Sequence, residues 1–242
     1  LLAAIIAATS LKISSKPADD SHPYGHGKVE NVSGVIEGAL IFIAAIFIIV
    51  ESTRKIIHPE DFEASLLPIC VMSISAVINF FVSGHLYKIA KAEDSIALEA
   101  DALHLRTDVN TSAGVALGLL LIMITGIKIL DPIVAITVAM LIVYEAWHLC
   151  KNAFSPLLDS CLPQEEHEKI MDILEQHDCR DFQFCYLRTR KSGPNRFIDF
   201  HAKVQPAMPI SKANEMTKHL QEEIEKQLPN SHIHINIEPM EE

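Results

Sequence analysis

Ser95–Ile127 reads SIALEADALHLRTDVNTSAGVALGLLLIMITGI. Its last 19 residues, Val109–Ile127, contain no Asp, Glu, Lys or Arg. About 20 mostly apolar residues in a helix cross roughly 30 Å of hydrocarbon, so this run is long enough to span a bilayer. At its head sit His104 and Asp108, four residues apart, with Asp101 three residues before the histidine. On a helix, i and i+4 share a face with side chains one turn apart. An imidazole and a carboxylate placed so can supply two ligands to a tetrahedral divalent cation. A polar patch where the helix leaves the membrane is the other reading, since an isolated HxxxD is common. Ionisable groups at membrane depth are costly and mark functional positions. Two ligands are too few, so such a site needs partners from another helix.

Working outward, Ala64–Tyr87 is a second uncharged run, of 24 residues. Gly38–Val50 is an apolar core between Glu37 and Glu51, and Ile133–Tyr144 is another between Asp131 and Glu145. Both span if their end carboxylates lie at an interface or face the bundle interior. The expected spans are about 31–54, 64–88, 98–127 and 129–152. The chain opens LLAAIIAATSLKIS, without Met or a basic n-region, so Leu1–Ser14 is not a signal peptide. It reads as the end of a helix begun upstream, with a short interfacial helix as the alternative.

From Ser160 the texture changes: the 83-residue tail has 15 acidic and 10 basic residues and no long apolar run. Pro163–His177 has helical spacing, Phe182–Arg190 and Phe197–Val204 alternate like strands, and Ser-Gly-Pro between them signals a hairpin turn. Ser211–Leu228 is a second helix with Ser211 as its expected N-cap, and His232–Ile237 a final strand. The order α-β-β-α-β predicts a two-layer α+β domain over 160–242, after a helical transmembrane domain over 1–159.

The net charge of −11 argues against a nucleic-acid binder, which needs a basic surface. The five cysteines form no CxxC pair, which argues against a disulfide framework and fits a reducing compartment for the tail. With alternating helices, Lys12, Lys16, Lys28, Lys88, Lys91 and Lys151 lie on one side and Arg54, Lys55 and Lys128 on the other. The positive-inside rule then places the tail in the cytoplasm. No HExxH, GxSxG or phosphate loop is present, which argues against a membrane-anchored enzyme.

Two further groups of metal-ligating residues stand out. DDSHPYGHGK (Asp19–Lys28) is a Pro/Gly-broken loop in which Asp19, His22 and His26 converge only if it folds around something. A solvated polar loop is the alternative. In the tail, Cys185, His201, His232, His234 and Glu238 scatter over the expected strands, His232 and His234 on one strand face. Ordinary surface histidines are the alternative there.

HPYGHGKVE (His22–Glu30), EADALHLRTD (Glu99–Asp108) and the α-β-β-α-β tail together resemble the cation diffusion facilitator family, closest to bacterial zinc and ferrous-iron efflux pumps. The resemblance runs over essentially the whole chain. It implies a six-helix bundle, of which about four and a half spans are seen here, plus a ferredoxin-like tail. It also implies a divalent-metal/proton antiporter, homodimeric, in a bacterial inner membrane. On that resemblance His104 and Asp108 are half of the transport site, and the other half is expected just before Leu1. Asp19, His22 and His26 match a loop metal site, and Lys28 and Asp159 a charge interlock of the dimer. Cys185, His201, Met216, Asn236 and Glu238 occupy tail metal positions, where the family often has His in place of Cys185, Met216 and Asn236. The tail site is therefore expected to be depleted, with His201 and Glu238 surviving and His232 or His234 substituting. Zn²⁺ is the expected cargo, with Fe²⁺, Co²⁺, Cd²⁺ and Mn²⁺ as competitors. A non-transporting scaffold or metal sensor of the same architecture is the other function class.

Overall fold

The computed structural model describes residues 2–58, 66–125, 127, 129–177 and 182–240. The expected start of the third span at Ala64, together with Lys128 and Cys179, lies outside these. The chain divides into two compact units, Leu1–Phe154 and Ser155–Glu242. The division falls before a 3₁₀ turn at Ser155–Leu158 that packs on the tail's first strand, hence earlier than the 159/160 boundary expected.

The first unit is five helices: α1 (Leu2–Ser14), α2 (Lys28–Ile57), α3 (Leu66–Ala92), α4 (Ile96–Thr125) and α5 (Leu130–Phe154). Among the described residues, the helices at α2 and α5 are by themselves long and apolar enough to cross a membrane, with mean hydropathies of 2.5 and 1.9. α2 packs against α1, α4 and α5, and α3 against α4. Small residues allow the close crossings, as van der Waals packing between membrane helices requires. A Cβ on Gly38 would come 2.5 Å from the Cys150 sulfur on α5, and one on Gly118 2.5 Å from an Asp131 carboxylate oxygen. The core around these crossings is Ile41, Ala45, Ala100, Ile142, Ala146 and Leu149. Large apolar side chains such as Phe47, Phe81 and Trp147 point outward, the reverse of a soluble domain and the pattern a bilayer accepts.

The second unit is α6 (Gln164–His177), β1 (Phe182–Ser192), β2 (Asn195–Val204), α7 (Ile210–Gln227) and β3 (Ser231–Pro239). The sheet order is β1-β2-β3. β1 and β2 form the expected antiparallel hairpin, closed by Gly193 at φ +58. β3 then returns parallel to β2 through α7. One sheet face supplies Ile198, Phe200, Ala202 and Val204 to a core with Ile170, Ile173 and Leu174 of α6 and Ala213, Leu220 and Ile224 of α7. The N-cap differs from expectation: α7 starts at Ile210, behind Pro209 at φ −61 and ψ 138, with no side-chain cap bond. Proline's fixed φ suits the position before the first turn, and the helix starts two residues earlier than a Ser211 cap would set it.

Candidate metal sites

The loop before α2 is held in shape by its own hydrogen bonds. The backbone N–H groups of Ser21 and His22 donate to Asp19 Oδ1 at 2.9 and 2.7 Å, an Asx turn. Gly25, at φ +79, then turns the chain so that His26 comes back over it. His22 Nδ1 lies 3.3 Å from Asp19 Oδ1, and His26 Nε2 lies 3.6 Å from Asp19 Oδ2. The two imidazole centroids are 4.4 Å apart. One ligand atom from each residue falls within 4.8 Å of the others, a spacing that can hold a metal ion. The His22 and Ser21 N–H groups and the nearby imidazoles outweigh a small desolvation effect and hold the Asp19 carboxyl below its ordinary range. Asp19 is therefore an anionic group already oriented towards both rings.

His104 and Asp108 lie on α4 with partly buried side chains, as their spacing requires. Asp101, a turn before, is close enough to interact electrostatically with His104 and with Glu37 of α2. Glu37 is only 1% exposed, and neither carboxylate oxygen has a hydrogen-bond partner among the described residues. Sequence reasoning treated Glu37 as the flank of an apolar run, with the bundle interior as one of two open positions. The structure places it inside. Lower on the same helix, Glu30 accepts from Ser14 Oγ at 2.7 Å and Ser95 Oγ at 2.6 Å, tying α1, α2 and the start of α4 together. Beside these helices, α3, α4 and α5 form a cleft of about 590 Å³ whose mostly apolar lining, Phe80, Phe81 and Leu103 among it, also carries His85, Arg106 and His148.

In the tail, the bare sheet face carries part of the expected set. Cys185 of β1, His201 of β2 and Asn236 of β3 are neighbours across the strands. His201 Nδ1 is 2.9 Å from Glu238 Oε1 without hydrogen-bond geometry, and the same oxygen accepts from Asn236 Nδ2 at 3.0 Å. A bulge between Cys185 and Arg188, with Tyr186 at φ +57, sets the Tyr186 ring 5.3 Å from that of His201. His232 and His234 do not join them. Their cross-strand partners are Phe197 and Asp199, and His232 stacks on Phe197 at 5.0 Å. Alternation puts them on the right face, but a parallel register sets them four and two residues from the His201 row. Met216 packs against the core. Lys28 opens α2 in the first unit, and Asp159 in the second lies 3.5 Å from Arg190.

A group that sequence reasoning missed lies at the other side of the tail: His177 on α6 with His219 and Glu223 on α7, their ligand atoms within 4.8 Å of one another. His219 and Glu223 carry the same i, i+4 signal as His104 and Asp108, but nothing in the sequence joins them to His177.

Known proteins bear on these sites. Residues 1–158 match the profile of the cation efflux transmembrane domain, and residues 162–240 that of the cation efflux protein cytoplasmic domain. The chain belongs to the cation efflux, or cation diffusion facilitator, family. Its members are membrane transporters rather than enzymes, and the second profile marks a dimerisation domain. An uncharacterised transporter of Synechocystis is 32% identical over all of this chain and 78% of its own length. The cation-efflux pump FieF of Pectobacterium atrosepticum is 28% identical over 99% of this chain and 79% of its own. FieF of Citrobacter koseri is 30% identical over 95% and 76%. A solved structure of CzrB is 30% identical, covering 33% of this chain and 99% of its own, with a TM-score of 0.31.

Proposed function

We propose that this family member exports a divalent transition metal, Zn²⁺ foremost, in exchange for protons, as a homodimer in a bacterial inner membrane with its tail in the cytoplasm. What supports this is the His104/Asp108 pair, one helical turn apart on α4 at the head of the uncharged run Val109–Ile127, in a chain that matches the cation efflux transmembrane domain. A neutral imidazole and a carboxylate bind a borderline cation well, and imidazole exchanges protons near neutral pH, so one pair can serve ion and proton in turn. The same donors accept Fe²⁺, Co²⁺, Cd²⁺ and Mn²⁺. Zn²⁺ leads because an imidazole ligand suits it better than it suits a cation that prefers all-oxygen sites.

Asp19, His22 and His26 hold a cation in the loop ahead of α2. Lys28 and Asp159 lock the two copies by charge. In the tail, His201, Glu238 and Cys185 are the core of a second binding region, to which His232 and His234 contribute little from where they lie. Metal-driven proton flux in proteoliposomes tests the reading. His104→Ala and Asp108→Ala each abolish Zn²⁺-dependent flux while leaving the protein folded. Wild-type flux in both variants overturns the assignment, and Mn²⁺ driving flux as well as Zn²⁺ overturns the metal preference.

A further inference from the structure

His177 is the last residue of α6, and His219 and Glu223 stand one turn apart on α7. His177 Nε2 is 3.3 Å from Glu223 Oε2, and His219 Nδ1 is 3.9 Å from the same oxygen. Around a tetrahedral zinc with bonds of 2.0–2.1 Å, neighbouring ligand atoms are about 3.3 Å apart. The two spacings to Glu223 are at or within about 0.6 Å of that figure, and the two histidine ligand atoms are within 4.8 Å of each other.

The orientation of His177 is the decisive detail. Its Nδ1 is 2.9 Å from the Ile173 carbonyl oxygen. A carbonyl only accepts, so Nδ1 carries the hydrogen and donates. In the neutral ring this leaves the lone pair on Nε2, aimed at a carboxylate oxygen: an acceptor facing an acceptor. Only a proton or a metal cation between the two makes the contact attractive. A ring whose second nitrogen is fixed by a backbone carbonyl is the usual support of a metal-bound histidine.

We infer that His177, His219 and Glu223 form a transition-metal site on the helical face of the C-terminal domain, separate from the transport pair, the loop and the sheet-face residues. Two imidazoles and one carboxylate select Zn²⁺ or Co²⁺ over Mg²⁺ or Ca²⁺, and a water completes the tetrahedron. The ion fastens the end of α6 to α7, so metal binding stabilises the domain by mass action as the free cation concentration rises. The inference stands whether or not the chain transports zinc.

The test uses the full chain in detergent, with Asp19→Asn, His22→Gln and His26→Gln as background so that the loop cannot contribute. Zinc content is read after dialysis against a zinc buffer. His177→Gln and His219→Gln are each expected to lose about one zinc equivalent per chain. The His219 side chain is 70% exposed, so its replacement leaves the domain core intact. His219→Cys keeps the equivalent and, with Co²⁺, gains a thiolate charge-transfer band that His177→Gln then removes. Unchanged zinc content in both Gln variants, or no such band in His219→Cys, overturns the site.

Discussion

Two regions of α2, seven residues apart, treat a buried carboxylate in opposite ways. At the loop end, Glu30 is 4% exposed and both its oxygens accept a serine hydroxyl, one from α1 and one from the start of α4. In mid-helix, Glu37 is 1% exposed and accepts none. The first is a structural clamp, because a buried charge that is fully hydrogen-bonded joins the elements that donate to it. The second costs stability and is offset by the packing around it, which is the mark of a group kept for its chemistry. Its neighbour in charge is Asp101, and beyond that His104, so the unsatisfied acid belongs to the region where cargo and protons are expected to move.

The contrast can be broken at either end. Glu30→Ala leaves the Ser95 hydroxyl without its acceptor and Ser14 with only the Leu11 carbonyl of its own helix, unties α1 from α4, and should lower the stability of the helical unit by about 3 kcal/mol. Thermal or denaturant unfolding in detergent reads this, and a loss below 1 kcal/mol would show that Glu30 is no clamp. A third carboxylate calibrates the scale. Glu166 of α6 is held by Arg196, whose Nη2 and Nε donate at 2.6 and 2.9 Å. Arg196→Met leaves that acid half-buried and unpaired, and should cost about 2 kcal/mol of C-terminal domain stability in the same assay.

The pH dependence of that pair has a definite sign. Burial pushes the Glu166 carboxyl up, but the Arg196 hydrogen bonds and the charges of Arg196, Lys191 and Lys169 together hold it below its ordinary 4.5. The unfolded chain therefore binds the proton first as the pH falls. The stabilisation is present above 4.5 and is lost as the pH falls through it towards the lowered folded value. Arg196→Met should flatten the acid limb of the stability curve, and an unchanged limb would remove the pair from the account. The smallest effect belongs to Glu37→Gln. Exchanging one buried polar group without hydrogen-bond partners for a neutral isostere should leave stability within about 0.5 kcal/mol of wild type or raise it, while altering metal-driven proton flux. A loss as large as that of Glu30→Ala would erase the distinction.

How far these features could be read beforehand depended on the range of the contact. Helix-forming apolar runs and the i, i+4 pair His104/Asp108 are local, and the folded helices contain them. Asp19, His22 and His26 also lie within one loop, and the turn at Gly25 is itself a sequence signal. Glu30 and Glu37 looked alike in the sequence, because what separates them is whether Ser14 and Ser95 arrive from other helices. His177 and His219 are 42 residues apart and meet only because α6 and α7 dock on one sheet face. His232 and His234 show the converse. Strand alternation placed them on the right face, but the parallel register that offsets them from His201 is set by the length of α7 and its loops.

The bulge at Cys185–Arg188 also bears on how two copies can meet. The order β1-β2-β3 leaves β1 and β3 as the two rims of the sheet, each with backbone groups open to another strand. On β1 the ladder is broken mid-strand, and Tyr186 is thrown into a left-handed conformation. Such an interruption works against strand addition. A dimerisation domain built this way is steered away from zipping sheet to sheet along β1 and towards contact through its faces. A joint made of side chains, unlike one made of a backbone ladder, can be retuned by substitution or by a cation and does not propagate by open-ended stacking into fibres.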